Sequence, residues 1–114
     1  MNDNLKRGTI EIVLLTLLKD GDKYGYELTQ ALDEKSQGLF PMKETALYPV
    51  LYRLQHKGLI SDRCEQVGVR RTRIYYHLEP SGSAYLEESI REYISLTRGI
   101  FNVLGYSDLG DAEQ

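Results

Sequence analysis

Lys43-Glu44-Thr45-Ala46-Leu47-Tyr48-Pro49-Val50-Leu51-Tyr52-Arg53-Leu54-Gln55-His56-Lys57-Gly58 is the stretch that decides the fold. Leu47, Val50, Leu51 and Leu54 recur at the spacing of one helix face. Gly58 is placed to close that helix as a left-handed residue just past its end. The spacing predicts a helix from about Glu44 to Lys57. Pro49 falls in or just after its first turn, where few or no backbone hydrogen bonds are lost. The other face carries Lys43, Thr45, Tyr48, Tyr52 and Arg53 and is offered to solvent. Tyr48 and Tyr52, four residues apart, read either as contacts to a partner or as a surface aromatic pair.

After Gly58 the period shortens. Leu59 to Gln66 reads as a strand, Val67-Gly68-Val69-Arg70 as a turn, and Thr72 to Leu78 as a β-branched and aromatic second strand. The hairpin carries Arg70, Arg71 and Arg73. Tyr75 and Tyr76 point to opposite faces, one to the core and the other partly to solvent. Before the central helix, Ile10, Val13, Leu14, Leu17 and Leu18 form an amphipathic stripe within residues 5–19. Lys19-Asp20-Gly21-Asp22 is a turn. A second helix is expected from about Lys23 to Lys35, capped by Asp22, with Tyr24, Leu28, Ala31 and Leu32 inward.

Beyond the hairpin, Pro80 suits a first helical position, and a helix is expected to run to about Leu104. Leu86, Ile90, Tyr93, Thr97, Ile100 and Leu104 follow a 3.5-residue period, the seam of one helix wound against another. Ile94 and Phe101 widen it. Such a helix, about 25 residues or roughly 37 Å long, outruns a small three-helix domain. Its surplus apolar face needs a partner, and a second copy of the chain fits better than an intramolecular surface.

Charge follows the same division. Residues 43–77 carry seven Lys/Arg against three Asp/Glu, while 1–42 carry five against seven and 78–114 two against seven. A basic middle between acidic flanks suits one face that meets phosphate; by itself it is also within ordinary fluctuation. The 114 residues, 41% hydrophobic and 27% charged, make one ordinary globular domain. No apolar run approaches the roughly 20 residues of a membrane span, and the amino terminus lacks signal-peptide character, so a cytoplasmic protein is expected. One cysteine, Cys64, leaves no disulfide framework or multi-cysteine zinc site; it reads as a buried or edge thiol ahead of a redox sensor. His56 and His77 have no ligand-spaced partners, so no metal and no cofactor is expected. There is no glycine-rich phosphate loop and no nucleophile–histidine–carboxylate set, so no enzyme is expected.

Three helices, a hairpin and a long helix make a mainly α chain with a small β-hairpin: a winged helix-turn-helix (1–78), a C-terminal dimerisation helix (79–105) and a flexible acidic tail (106–114). A recognition helix enters the major groove in such folds, and the arginine-bearing hairpin lies beside it.

The sequence also resembles the PadR family of bacterial transcriptional regulators over nearly its whole length. The residues that carry the resemblance are Leu5-Lys6-Arg7-Gly8-Thr9, Tyr24-Gly25-Tyr26-Glu27-Leu28, Lys43 through Leu54, Gly58-Leu59-Ile60 and Arg71-Thr72-Arg73-Ile74-Tyr75-Tyr76-His77-Leu78. The single terminal helix resembles the small subfamily that dimerises through it. The resemblance implies a homodimer on a pseudo-palindromic operator in double-stranded DNA, usually repressing, with release by a small molecule. It implies groove contacts from Lys43, Thr45, Tyr48, Tyr52 and Arg53, phosphate contacts from Tyr24 and Tyr26, and backbone contacts from Arg70, Arg71 and Arg73. Some small relatives stack flat drugs between tryptophans at the dimer centre. With no Trp here, an effector pocket for a small aromatic compound would fall to Tyr93, Ile94 and Phe101. The competing expectation is a winged-helix protein-interaction module that never touches DNA.

Overall fold

A computed structural model describes residues 9–107. The elements run α1 (Ile10–Lys19), β1 (Lys23–Tyr24), α2 (Gly25–Lys35), α3 (Glu44–His56), β2 (Ile60–Gln66), β3 (Thr72–Leu78) and α4 (Pro80–Leu104). The expected helical front at residues 5–8, with that part of the first family motif, and the tail at 108–114 lie outside the described residues.

The core is almost wholly leucine. Leu14, Leu15, Leu17 and Leu18 of α1 meet Leu28 and Leu32 of α2 and Leu47, Val50, Leu51 and Leu54 of α3; Leu59, Ile60, Tyr76 and Leu86 close it from the sheet and α4. Burying one such side chain is worth about 1.5–3 kcal/mol. No polar or charged residue is buried among those described, so the core specifies packing and carries no chemistry. The end of α3 is as expected. Gly58 takes φ +75°, its N–H donates to the Gln55 carbonyl, and Leu59 N–H donates to the Leu54 carbonyl. These bonds form a Schellman closure, which turns the chain sharply into β2.

The sheet differs from the two-stranded hairpin read in the sequence. It has three antiparallel strands in the order β1-β3-β2. Lys23 pairs with Tyr76 and Tyr24 with Tyr75, while β2 pairs with β3 from Ile60↔Leu78 to Gln66↔Thr72. The strand β1 occupies the expected first turn of the second helix, so α2 starts at Gly25 with Tyr24, not Asp22, at the N-cap. Tyr24 N–H donates to Glu27 Oε1 at 3.2 Å, which satisfies one donor at that helix start. Tyr76 is buried and Tyr75 half-buried, the division that strand alternation requires.

Pro49 is the sixth residue of α3, just after the first turn as expected, and the helix forgoes one amide, the one that would reach the Thr45 carbonyl. One further expectation is corrected. Leu86, expected on a dimer seam, is only 2% exposed within one chain, and Ile90 packs against the same core. The first three turns of α4 are therefore spent on the chain's own fold. Tyr93, Ile94, Leu96, Ile100, Val103 and Leu104 remain exposed beyond them.

Candidate nucleic-acid interface

Three chain segments converge on one cleft of about 500 Å³: Tyr24, Gly25 and Tyr26 where β1 enters α2, Glu44 and Tyr48 from the first turns of α3, and Arg71 to Ile74 with Tyr76 from the wing. The convergence has a steric cause. A methyl on Gly25 would stand 2.7 Å from the Tyr48 hydroxyl, so the bare Cα is what lets α3 lay Tyr48 across the start of α2. There Tyr48 donates its hydroxyl to Glu44 Oε2 at 2.6 Å. That bond to Glu44, with partial burial and the carboxylate's charge, pushes the phenol up to about 12. Tyr48 thus differs from the free groove contact that the resemblance implies: its hydroxyl already donates to a neighbour.

The wing face beside the cleft is a ladder of rings and guanidinium groups. Arg63, Tyr75 and Tyr24 are register neighbours across β2, β3 and β1. Tyr24 and Tyr75 meet edge to face at 5.4 Å, Arg73 lies 4.3 Å over the Tyr24 ring, and Arg63 lies 5.2 Å over Tyr75. Arg63 also pairs with Asp22 and Glu65. Asp22 accepts a second bond from His77 Nδ1 at 2.8 Å. The His77 bond foremost, with Arg63, holds the Asp22 carboxyl below the usual carboxylate range. Asp22 therefore ties the root of the wing, a role its expected use as a helix cap does not include.

The cations divide in two. Lys35, Lys57, Arg63 and Arg91 are neutralised by Asp20, Glu11, Asp22 with Glu65, and Glu88. Among the described residues, Lys43, Arg53, Arg70, Arg71 and Arg73 have no ion pair. These five belong to α3, its leading residue and the wing. Lys19, Lys23 and Arg98 share that state on other elements, and Lys23 donates to the Leu17 carbonyl at 2.9 Å.

Of the ten residues expected to contact DNA, the cleft gathers Tyr24, Tyr26, Tyr48, Arg71 and Arg73. Lys43, Thr45, Tyr52 and Arg53 lie at or along α3 outside it, and Arg70 is exposed in the wing turn. Tyr52 stacks on His56 with ring centroids 6.3 Å apart. Sequence reasoning misses Glu44; its signal is an acid four residues before Tyr48 in an otherwise basic segment. The expected effector residues are not brought together in one chain. Tyr93 lines a cleft of about 300 Å³ between α1 and α4 with Glu11, Ile12, Tyr85, Ser89, Glu92 and Leu96. Ile94 lies outside it, and so does Phe101, which faces Tyr106 at 6.4 Å. Thr97 is half-buried. Leu96 and Val103, absent from the expected seam, add to the exposed face, and Leu96, Gly99, Ile100, Val103 and Leu104 border one shallow apolar groove.

Residues 14–88 match the Transcriptional regulator PadR-like family. The chain belongs to the PadR-like family of transcriptional regulators. That family and the relatives it groups are transcriptional regulators, not enzymes. It is 33% identical over 89 residues to the transcriptional regulator YqjI of Escherichia coli, covering 78% of this chain and 41% of that protein. A transcriptional regulator from Clostridium thermocellum superposes with TM-score 0.79 at 32% identity, over 88% of this chain and 96% of its own. Bacillus subtilis PadR in complex with operator DNA superposes with TM-score 0.66 at 27% identity, over 71% of this chain and 46% of that one. The PadR-like winged helix is therefore common to relatives of two lengths, and this chain spans under half of the longer ones.

Proposed function

We propose that this PadR-like chain is a DNA-binding repressor, acting in the cytoplasm as a homodimer on a pseudo-palindromic operator. One observation carries the reading: α3 with its leading residue and the wing hold five cations that make no ion pair among the described residues, and two of them line the cleft at the start of α3. A recognition helix with basic flanks matches the demands of a major groove and its phosphates. The Bacillus subtilis relative, whose structure holds operator DNA, supports the same use. Exposed apolar residues on α4 from Tyr93 to Leu104 support pairing with a second copy. In that dimer two reading heads would meet half-sites roughly 34 Å apart. The cleft beside Tyr93 is our candidate place for a small aromatic effector, and planar aromatic compounds that quench tyrosine emission would support it.

Selection of random and genomic DNA fragments on the purified protein, followed by sequencing, tests the reading. An enriched inverted repeat is expected. For about six phosphates, log K should fall against log salt with a slope near −5. No shared motif and a shallow salt dependence would favour a protein-interaction module.

A further inference from the structure

The cleft that gathers Arg71 and Arg73 of the wing also holds a carboxylate, Glu44, in the first turn of α3. On a face meant for phosphate, a negative group lowers affinity for every DNA sequence alike, unless it finds a donor. Glu44 is also not idle: Oε2 accepts the Tyr48 hydroxyl at 2.6 Å, and Tyr48 is itself seated against Gly25. Two elements are therefore used to fix one carboxylate in place at the end of the helix that leads into a groove. One accepted bond leaves a carboxylate with lone pairs to spare.

The major groove offers few partners for such a group. Guanine and thymine present acceptors, which repel it. Adenine presents an amino group beside the N7 acceptor. Cytosine presents its N4 amino group with no acceptor alongside. We infer that Glu44, positioned by Tyr48, reads the amino group of a cytosine and sets base preference at one position of each half-site. The inference rests on the DNA-binding reading above, and it adds a residue that discriminates to a set of residues that mainly attract.

The test is the same DNA selection, run in parallel on wild type, Glu44→Gln, Glu44→Asp and Tyr48→Phe, each first checked for an unchanged far-ultraviolet spectrum. Glu44→Gln keeps an acceptor for Tyr48 but adds a donor, so it should lose about tenfold of the cytosine preference at one symmetric position and move toward adenine. Glu44→Asp keeps the charge but withdraws it by one methylene, and should lose the same preference. Tyr48→Phe should weaken that position severalfold and leave the others as they were. If Glu44→Gln instead tightens binding to all sequences equally with an unaltered motif, Glu44 only repels backbone and the inference is overturned. If Glu44→Asp keeps the full preference, charge alone suffices and positioning is overturned. A wild-type protein that selects no motif at all would sink the DNA-binding reading itself, and the inference with it.

Discussion

Gly82 of α4 lies against the backbone of Leu59 so closely that a methyl on its Cα would run into the Leu59 carbonyl oxygen and come to 2.6 Å from Leu78 Cδ1. The same carbonyl accepts the Glu79 amide at 3.0 Å, and Ser81 donates its hydroxyl to the Gly58 carbonyl at 2.7 Å. The first turn of α4 is thus held to the chain between α3 and β2, and the group an added methyl would meet first is the Leu59 backbone, which cannot swing aside as a side chain can. Gly82→Ala should destabilise the protein by about 2–3 kcal/mol through overpacking against a rigid group. Denaturant unfolding would show it as a lower midpoint, and a midpoint within error of wild type would mean that α4 can shift here.

Tyr48 should be one of the last phenols to ionise. Its pKa is raised to about 12 by the bond to Glu44. A folded-state pKa raised above the unfolded value, about 10, gives stability that is present below pH 10 and is lost as pH rises toward 12. Spectrophotometric titration of wild type minus Tyr48→Phe should yield a single phenol titrating well above pH 10. A difference curve centred at 10 would show that the bond does not form.

Asp22 has the opposite sign. Its carboxyl is held below the usual range by His77 and then Arg63. A lowered folded-state pKa gives stability that is present above the unfolded value, near 3.9, and is lost as pH falls through the lower folded one. Asp22→Asn should cost about 1 kcal/mol or less at pH 7, because its partners are half in solvent. It should also flatten the acid limb of stability below about pH 4. Thermal melts from pH 2 to 7 on both proteins would check this, and identical acid limbs would count against the wing-root tie.

Arg71 and Arg73 have no ion pair among the described residues and line the cleft with Glu44. Arg71→Glu with Arg73→Glu should lower operator affinity at least a hundredfold and flatten the salt slope by about two. Folding and self-association should stay as they are. Fluorescence anisotropy across a salt series measures both quantities. Wild-type affinity in the double variant would remove the wing from the interface.

Tyr93 is 45% exposed and stands where α4 leaves the chain's own core. Tyr93→Asp should weaken self-association about a hundredfold while the winged domain keeps its melting temperature within a few degrees. Sedimentation velocity would show a monomer at concentrations where wild type, paired as proposed, sediments as a dimer. A wild-type sedimentation profile would place the contact elsewhere on the helix.

Helices are legible wherever one apolar face repeats for several turns, and α4 runs between the two residues that the sequence marks as its ends, Pro80 and Leu104. The strand β1 is not legible, because two residues show no period and Lys23 and Tyr24 become a strand only through Tyr76 and Tyr75. Asp22 resembles a helix cap for the same reason: the local pattern is right, but a distant histidine and arginine have the stronger claim on its carboxylate. Leu86 matches the 3.5-residue seam, yet periodicity cannot say which neighbour covers a leucine, and here the covering surface is the chain's own core. Glu44 draws no notice in the sequence because an acid at a helix start already has an ordinary explanation in the helix dipole. Its bond to Tyr48 needs coordinates.

The pairing of Lys23 with Tyr76 has a kinetic consequence. Strands β2 and β3 are neighbours along the chain, so their hairpin can close on the microsecond scale typical of such units. The third strand can join only after a loop from residue 23 to residue 76 has closed, and that entropy is lost before the contact returns anything. The Tyr24–Tyr75 contact and the seat of Arg73 over Tyr24 are therefore late events, made after the leucine core has brought both ends of the domain together. In a partly unfolded molecule they should be the first to go, so hydrogen exchange at β1 should report subglobal opening while β2 and β3 remain protected.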